Sequence, residues 1–465
     1  RLILNGHKKR GGRSLMGLQL TLTQIAEIVS VQNVVADVVV TGAVIDSRKV
    51  TPGDLFIAFK GEHVDGHAYL AKARENGAVA ALVSEYQDDE LPQIKVDDVR
   101  IAFGQIAKAW LAECHAKVIA ITGSNGKTSL KEMVKAILSE VGTVTATQGN
   151  LNNDLGVPLT ICRIDKSDDY AVIEMGTNHP GEIAYLMSIV SPDVSVINNI
   201  ASAHIEGLGS EEGIAKEKGS IYQGLKKNGI AVVNADMPYE SIWQPLIAGR
   251  KTIRFGLQTK VDIFADYIQP EPAASHFLVH IDGINHHMTI ALPGLHNVNN
   301  ALAAIAICVA LNIPVDAMVR GLNTLQAVPH RLQMRKGLSG SRLIDDTYNA
   351  NPGSYLRALE TLSGFDEPLW LVLGDFGELG DECDAIHQSM GLQAKAAGVT
   401  SLFTVGEKSQ LAAAEFGDNA IHFEDIQTLQ QLLQNTLTAD VTCLIKGSRF
   451  MQLDKLADAL ASEAQ

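Results

Sequence analysis

A strand, a glycine-rich turn and the start of a helix follow one another directly at residues 118–129. The run 118–121 is wholly apolar and the turn after it carries glycines, a lysine and hydroxyl groups. Glycines let backbone N–H groups face phosphates, a lysine adds positive charge, and a hydroxyl that opens a helix can ligate Mg²⁺. We therefore predict a nucleotide triphosphate site, formed by Gly123, Ser124, Asn125, Gly126, Lys127, Thr128 and Ser129.

The residues after the turn have the spacing of an amphipathic helix. Apolar residues recur at the i, i+3, i+4, i+7 and i+8 positions from Leu130 to Leu138, which predicts one buried face, with Lys131, Glu132 and Lys135 elsewhere. The G-x-x-G-K-T spacing is two residues shorter than the general G-x-x-x-x-G-K-T pattern. The short glycine-lysine motif alone is thus weak evidence, and the strand and helix around it carry the prediction.

Composition limits the function classes. A chain of 465 residues is long enough for about three domains. Its formal net charge of -15 would repel nucleic acid, and we expect no such partner. The five cysteines occur singly, without C-x-x-C, which disfavours a disulfide framework or zinc site and favours a reducing cytoplasm. The longest apolar run, 301–311, is too short to span a membrane and predicts a buried helix.

The order of elements predicts an α/β protein with three domains. Residues 1–15 are basic, unlike the acidic remainder of the chain, so we expect a leader or a segment left from expression, with Met16 as the natural start. Strands and helices alternate after residue 16, and such alternation favours parallel sheets with ligands at the carboxyl ends of the strands. The predicted domains are 16–97, 98–326 and 327–465.

Two candidate ligands come after predicted strands of the central domain. Glu174 lies directly after the strand 171–173, and His204 lies beyond the strand that ends at Ile197. A carboxylate and an imidazole beside Lys127 could hold a metal ion near the phosphates. An acid after a strand can equally be a helix cap or a surface charge, and a single histidine is more often structural.

Further polar residues allow two interpretations each. Lys216 and Lys218 lie nearby in sequence, where either could belong to the site or to a solvated helix face. The amides of 297–300 precede an Ala-rich helix and could contact adenine or cap that helix. Arg331 is suited to a γ-phosphate and Asp346 to a ribose.

Together these motifs resemble the Mur ligase family of ATP-dependent amide-forming enzymes, over nearly everything from Met16 onward. The short loop 122–128 is typical of that family, so its spacing supports the resemblance. Other segments occur in family order: 172–176, 198–204, 296–300, 330–331 and 446–449. Three more segments are typical of the family member that catalyses the last cytoplasmic step of peptidoglycan precursor synthesis: 149–158, 346–352 and 373–380.

The resemblance implies a fold of three domains. These are a small N-terminal α/β UDP-binding domain, a central parallel-sheet P-loop ATPase domain and a C-terminal Rossmann-like domain. It also implies that Lys218 is carbamylated by CO₂, and that Thr128, Glu174, His204 and Lys218 hold two Mg²⁺ ions. By the same resemblance Lys127, Glu174, His204 and Lys218 are the catalytic residues.

Substrate contacts are implied in the same way. ATP would be bound by the loop together with Asn297, Asn300, Arg331 and Asp346. The dipeptide would be bound by Tyr348 and Asn349. The UDP-linked substrate would be bound by Ser47, Arg48, Lys60, Asn150, Asn152 and Asn153.

The implied reaction joins D-alanyl-D-alanine to a UDP-N-acetylmuramoyl tripeptide through an acyl phosphate, in the cytoplasm and by a monomer. Whether the tripeptide ends in meso-diaminopimelate or lysine stays open. A folylpolyglutamate synthase, the main alternative, would lack the domain supplied by 46–83. A nucleotide switch protein is disfavoured because the guanine-reading N-K-x-D motif is missing from the sequence.

Overall fold

The computed structural model describes residues 17–32, 38–61, 64–201, 208–271, 274–325 and 327–462. The basic leader and His204, both assigned from sequence, lie outside these ranges. The chain divides into two compact units: Arg1–Lys117 with Thr147–Ala171, and Val118–Ala146 with Val172–Gln465. Within the described ranges, every helix is too short or too polar to cross a membrane.

The strands are β1 Leu20–Thr21, β2 Val39–Val40, β3 Gly42–Val44, β4 Asp54–Ile57, β5 Ala80–Val83, β6 Gln93–Lys95, β7 Lys117–Thr122, β8 Val144–Ala146, β9 Tyr170–Glu174, β10 Val194–Ile197, β11 Ile230–Asn234, β12 Thr252–Gly256, β13 Ile263–Pro270, β14 Ser275–Ile281, β15 Ile284–Ile290, β16 Gln333–Lys336, β17 Arg342–Asp346, β18 Leu369–Gly374, β19 Ser401–Val405, β20 Ala420–Phe423 and β21 Thr442–Lys446. The α-helices are Leu22–Ile28, Leu70–Glu75, Val99–Ala112, Lys127–Ser139, Gly156–Cys162, Glu182–Val190, Glu211–Gln223, Glu240–Ile247, Leu295–Ala310, Val315–Asn323, Pro352–Ser363, Cys383–Ala396, Gln410–Phe416, Ile426–Thr436 and Leu453–Leu460.

The first unit contains a four-stranded parallel sheet in the order β3-β4-β5-β6. Its core includes Phe56 and Leu70, which are almost fully buried. A 3-10 turn at Gly66–Tyr69 precedes the short α-helix Leu70–Glu75. The carboxylate of Asp65 accepts the backbone N–H of His67 at 3.0 Å, which stabilises the start of that tighter turn.

The second unit contains a nine-stranded sheet in the order β15-β14-β13-β12-β11-β10-β7-β9-β8. Strands β7, β10, β11, β12 and β13 pair in parallel, as predicted for a P-loop domain. At one edge the sheet continues with antiparallel strands, because β14 pairs antiparallel with β13 and β15. Buried and partly exposed residues alternate along β14, which is typical of a strand with one face toward solvent.

The helix Lys127–Ser139 comes after β7 and carries the predicted apolar face. Leu130, Met133, Val134, Ile137 and Leu138 are all fully buried. The placement of Lys131 off that face is wrong, since only 2% of its surface is exposed. Its ammonium group lies 2.8 Å from the Glu132 carboxylate, so this buried charge is paired.

The same unit also contains a six-stranded sheet in the order β16-β17-β21-β18-β19-β20. All neighbours pair in parallel except β16, which is antiparallel to β17. Apolar clusters that contain Leu371 and Val372, neighbours on β18, cover the two faces of this sheet. The predicted Rossmann-like fold of the C-terminal part is confirmed, and the carboxyl ends of β17, β21 and β18 lie side by side.

Candidate active site

Gly126 sits at the turn between β7 and the helix Lys127–Ser139. Its φ of 74° is left-handed, a conformation that favours glycine. A Cβ at this position would lie 2.7 Å from Asn300 Oδ1 and 2.8 Å from Asn198 Nδ2. The turn thus requires glycine both for its backbone angle and for the close approach of two asparagine side chains.

Asparagine side chains hold the phosphate loop in place. The Asn125 carbonyl oxygen accepts hydrogen bonds from Asn198 Nδ2 at 3.0 Å and from Asn199 Nδ2 at 2.9 Å. The Asn125 N–H donates to Asn199 Oδ1 at 2.9 Å. Sequence reasoning gave Asn198 and Asn199 no role, although they come directly after β10, at the carboxyl edge where functional residues were expected.

Asn297 and Asn300, predicted to bind ATP, belong to the same network. Asn198 Nδ2 donates to Asn300 Oδ1 at 2.7 Å, and Asn300 Nδ2 donates to Asn297 Oδ1 at 3.4 Å. Asn297 Nδ2 in turn donates to the Pro293 carbonyl oxygen at 2.7 Å. Both amides are therefore engaged in protein contacts that support the loop, and their contact with ATP stays a prediction.

The structure brings three of the predicted catalytic and metal residues together. Lys127 Nζ donates to the Gly123 carbonyl oxygen at 2.7 Å. Thr128 Oγ1 donates to Glu174 Oε2 at 3.0 Å, and both residues are buried. Burial lowers the pKa of Lys127, while the Glu174 carboxylate acts in the opposite direction. A hydroxyl and a carboxylate oxygen next to a lysine form a suitable environment for a phosphate-bound Mg²⁺.

The structure separates the two lysines that residue spacing alone could not distinguish. Lys216 is exposed and pairs with Glu212 at 2.6 Å. Lys218 has 1% of its surface exposed, and its Nζ has no hydrogen-bond partner among the described residues. Burial, followed by the nearby charge of Lys127, holds the pKa of Lys218 well below the ordinary lysine value. Burial thus destabilises the charged form of Lys218.

Glu217 is a buried carboxylate that sequence reasoning missed. Its two oxygens accept the backbone N–H groups of Gly181 at 2.8 Å and Ile183 at 2.9 Å. These donors lie at the start of the helix Glu182–Val190, where an acid is favoured by the helix dipole. Glu217 thereby anchors the helix of Lys218 to the segment after β9. Its sequence neighbours suggested only a charged helix face, so no sequence signal could have identified it.

Residues from β17 and β21 form a second polar group. Lys446 Nζ pairs with the Asp346 carboxylate, whose Oδ1 also accepts the Leu332 N–H at 3.2 Å. The Asn349 carbonyl oxygen lies 3.4 Å from Lys446 Nζ. Asp346 is therefore fixed at the carboxyl edge of the sheet, with one ammonium group balancing its charge.

Tyr348 lies against two arginines. The guanidinium carbon of Arg331 is 4.1 Å from the Tyr348 ring centroid, and that of Arg449 is 5.7 Å from it. Guanidinium groups pack favourably on aromatic faces, so the ring orients both side chains. Arg331 is also close enough to Lys127 for its charge to lower the Lys127 pKa.

One hydrogen bond connects this second group to the phosphate loop. Asn351 Nδ2 donates to Asn125 Oδ1 at 2.9 Å, across 226 residues of sequence. The same Asn351 side chain caps the helix Pro352–Ser363, because its Oδ1 accepts the Ser354 N–H at 2.8 Å. The N-terminal end of that helix therefore lies beside the phosphate loop.

The predicted UDP-contact residues belong to the first unit. Ser47 is buried, while Arg48 is exposed and lies 2.9 Å from Asp46, whose pKa this side-chain contact lowers to about 2. Lys60 is exposed at the end of an isolated bridge with Asp65. In the segment after residue 149, Asn150 and Asn153 are exposed and Asn152 is partly buried.

His296 gives the protein a specific acid sensitivity. Burial, assisted by the charge of Arg357 and opposed by Asp346, lowers the pKa of His296 to about 4. The unfolded chain takes up this proton below pH 6.5, so stability is lost as the pH falls from 6.5 toward 4. We expect a loss of about 2 kcal/mol in the free energy of unfolding between pH 7 and 4.5.

Urea denaturation at the two pH values measures this loss. His296→Gln should reduce the pH-dependent difference by that amount, whereas the exposed His287→Gln should leave it unchanged. Equal pH dependence in the wild-type protein and His296→Gln would contradict the assignment.

Three family models match the chain. "Mur ligase family, catalytic domain" matches residues 39–112, "Mur ligase middle domain" matches 121–308, and "Mur ligase, glutamate ligase domain" matches 330–449. A UDP-N-acetylmuramoyl-tripeptide–D-alanyl-D-alanine ligase from Escherichia coli (strain K12) is 41% identical over 95% of this chain and 98% of its own length.

Solved structures agree with these matches. A crystal structure of MurF from Acinetobacter baumannii superposes with a TM-score of 0.87, at 33% identity over 96% of this chain and 99% of that one. MurF ligase from Thermotoga maritima in complex with ADP gives a TM-score of 0.80, at 26% identity over 90% of this chain and 96% of that one. The chain therefore belongs to the Mur ligase family.

Proposed function

We propose that this chain is an ATP-dependent ligase that joins D-alanyl-D-alanine to a UDP-N-acetylmuramoyl tripeptide. The observation that carries the proposal is that Lys127 of the phosphate loop lies beside the buried residues Thr128, Glu174 and Lys218. A nucleotide switch would need no buried lysine that lacks a hydrogen-bond partner among the described residues. The similarity to the E. coli ligase, at 41% identity over 95% of the chain, supports the choice of substrates.

The reaction transfers the γ-phosphoryl group of ATP to a carboxylate. An oxygen of the tripeptide's terminal carboxylate forms a bond to the γ-phosphorus, and the bond between that phosphorus and the bridging oxygen to ADP breaks. The amine of D-alanyl-D-alanine then attacks the acyl carbon, loses a proton and expels phosphate. Lys127 supplies fixed positive charge where the two anions meet, which stabilises the transferring group.

The residues at the loop fit Mg²⁺. Thr128 offers a hydroxyl and Glu174 a carboxylate oxygen, and a hard cation prefers such oxygen ligands. We propose that these residues, with His204 and carbamylated Lys218, hold two Mg²⁺ ions. When bound, Mg²⁺ supplies positive charge that offsets the repulsion between carboxylate and phosphate.

Carbamylation of Lys218 would convert its amine into an anionic ligand. The neutral amine forms a bond to the carbon of CO₂ and releases one proton, which leaves a carbamate. The structure supports this step because the Lys218 Nζ is buried and has no hydrogen-bond partner among the described residues. Burial of an ammonium group without a partner is unfavourable, so the amine form is available to CO₂.

The remaining sequence assignments are part of the same proposal. We propose contacts to the UDP-linked substrate through the six residues of the first unit, and to the dipeptide through Tyr348 and Asn349. We also propose that Asn297, Asn300, Arg331 and Asp346 contact ATP. The proposal also includes a cytoplasmic location, a monomeric state and a division into the domains 16–97, 98–326 and 327–465.

A phosphate-release assay tests the proposal. We expect the purified protein to release phosphate from ATP only when UDP-N-acetylmuramoyl tripeptide and D-alanyl-D-alanine are both present. Because the amine is needed to expel phosphate, omission of either substrate should reduce release at least about 100-fold. Equal release with a folate and glutamate would instead favour a folylpolyglutamate synthase, the alternative ligase.

A further inference from the structure

The helix Glu211–Gln223 determines where the Lys218 amine lies. The Lys218 Nζ is buried and lacks a hydrogen-bond partner among the residues that the structure describes. Its position therefore depends on the position of the helix that carries it. A metal ligand has to be held within about 0.5 Å of its working position. The contacts that fix this helix therefore bear directly on the proposed metal site.

Two aromatic side chains connect the helix to the β11 side of the sheet. Trp243 Nε1 donates to the Ala215 carbonyl oxygen at 2.9 Å. The Tyr222 hydroxyl donates to the Val232 carbonyl oxygen, on β11, at 2.8 Å. Neither contact involves β9, the strand that ends at Glu174. These two hydrogen bonds hold the helix without setting its distance from Glu174.

Glu217 connects the same helix to the segment that follows Glu174. Its carboxylate oxygens accept the backbone N–H groups of Gly181 at 2.8 Å and Ile183 at 2.9 Å. Thr177, three residues after Glu174, places its Oγ1 3.4 Å from Glu217 Oε1. Two charge-assisted hydrogen bonds to one planar carboxylate fix its orientation as well as its position.

The segment after β9 is in turn fixed to β7, the strand that leads into the phosphate loop. The Met175 N–H donates to the Ile121 carbonyl oxygen at 2.8 Å. Thr122 Oγ1 donates to the Met175 carbonyl oxygen, also at 2.8 Å. Glu217 thus completes a continuous series of contacts from the phosphate loop to the helix of Lys218.

A buried carboxylate is a costly way to pack a helix. Glu217 has only 8% of its surface exposed. Removing a charge from water is unfavourable, and a well-packed apolar side chain of similar volume often stabilises a protein as well or better. Hydrogen bonds, however, restrict both distances and angles. What the carboxylate adds is a geometric constraint, which is the requirement of a metal ligand nearby.

We propose that Glu217 is a positioning residue that sets the separation between Lys218 and Glu174, so that both side chains reach the same pair of metal ions. This role rests on the proposed function, since it assumes that carbamylated Lys218 is a metal ligand. Adjacent residues of a helix point in different directions, so Glu217 acts through the helix and touches neither metal nor substrate. Residues that orient metal ligands typically change metal affinity by about 10- to 100-fold.

Binding of Mn²⁺, a spectroscopic probe for Mg²⁺, tests the proposal. Free Mn²⁺ is measured by electron paramagnetic resonance while the full chain is titrated with a non-hydrolysable ATP analogue and bicarbonate present. We expect the wild-type protein to bind two Mn²⁺ ions. Glu217→Gln keeps the size of the side chain and loses one acceptor, so it should bind at least one ion about 10- to 100-fold more weakly. Glu217→Asp keeps the charge but is one methylene shorter, and should show a similar loss.

The control is Glu212→Gln, the same substitution at an exposed position of the same helix, which should alter neither affinity. Normal Mn²⁺ binding by both Glu217 variants would overturn the proposal and leave the proposed function intact. A loss in Glu217→Gln with normal binding in Glu217→Asp would show an effect of charge instead of position, and would also overturn it. A wild-type protein that bound fewer than two ions would contradict the metal site of the proposed function, and this role with it.

The Mg²⁺ dependence of phosphate release separates positioning from folding. In Glu217→Gln the half-saturating Mg²⁺ concentration should rise by the same factor as the loss of Mn²⁺ affinity, while turnover largely recovers at saturating Mg²⁺. A lower maximal rate with an unchanged Mg²⁺ dependence would indicate a merely structural role and overturn the proposal. If Glu217→Gln does not fold, the same measurements on Glu217→Asp decide between these outcomes.

Discussion

Replacing Lys218 by alanine is expected to reduce the ligase rate at least about 1,000-fold, because in our proposal its carbamylated side chain supplies an anionic metal ligand at the phosphoryl-transfer site. The matched control is Lys216→Ala, two residues away on the same helix. Lys216 is exposed and its ion pair with Glu212 is a surface contact, so its loss should change the rate less than about two-fold. Steady-state phosphate release with all three substrates measures both variants.

Two further measurements distinguish a chemical role of Lys218 from a structural one. A short carboxylate such as acetate should partly restore the rate of Lys218→Ala, since it can occupy the position of the carbamate. The melting temperature of the variant should not fall, because the amine that is removed has no hydrogen-bond partner among the described residues. A severe loss in Lys216→Ala with little effect in Lys218→Ala would show that the wrong lysine was assigned.

Lys127→Met is expected to cause the second large loss, at least about 1,000-fold in turnover, because the charge beside the transferring phosphoryl group disappears. Methionine has a similar length and tolerates burial. Lys135→Met on the same helix serves as the control, since Lys135 is exposed. The turnover number and the Michaelis constant for ATP, measured together, show whether Lys127 stabilises bound ATP or the transition state.

The two constants should not change equally. If Lys127 acts mainly in the transition state, the turnover number of Lys127→Met falls far more than its affinity for ATP changes. A variant with normal turnover at saturating ATP would contradict the role assigned to Lys127.

Buried parallel strands were the most predictable part of the fold. The apolar runs 118–121 and 171–173 lie within β7 and β9, and the strand predicted to end at Ile197 is β10. The antiparallel edge at β13 to β15 was missed for a physical reason. The outward positions of β15 carry histidine and asparagine, so its hydrophobic signal is weak although the strand pairs along its full length.

The candidate site was predictable where a motif has a fixed geometry. The strand, turn and helix around Gly126 predicted that Lys127 and Thr128 lie together, and Glu174, predicted from its position at the end of β9, lies within hydrogen-bond distance of Thr128. The roles of these residues stay predictions. The choice between Lys216 and Lys218 depended on helix phase and neighbouring side chains, which a single sequence does not reveal. The contacts of Glu217 and Asn198 are long-range, so no local pattern could predict them.

The order of strands in the last sheet has a consequence for the synthesis of the protein. β21 is the last strand that the structure describes, yet it lies between β17 and β18. During translation the chain leaves the ribosome N-terminus first, so β17 and β18 emerge well before the strand that separates them. A nascent chain that ends before Lys446 can neither complete this sheet nor form the ion pair between Lys446 and Asp346. We therefore expect the protein to hold a bound nucleotide only after β21 has been synthesised.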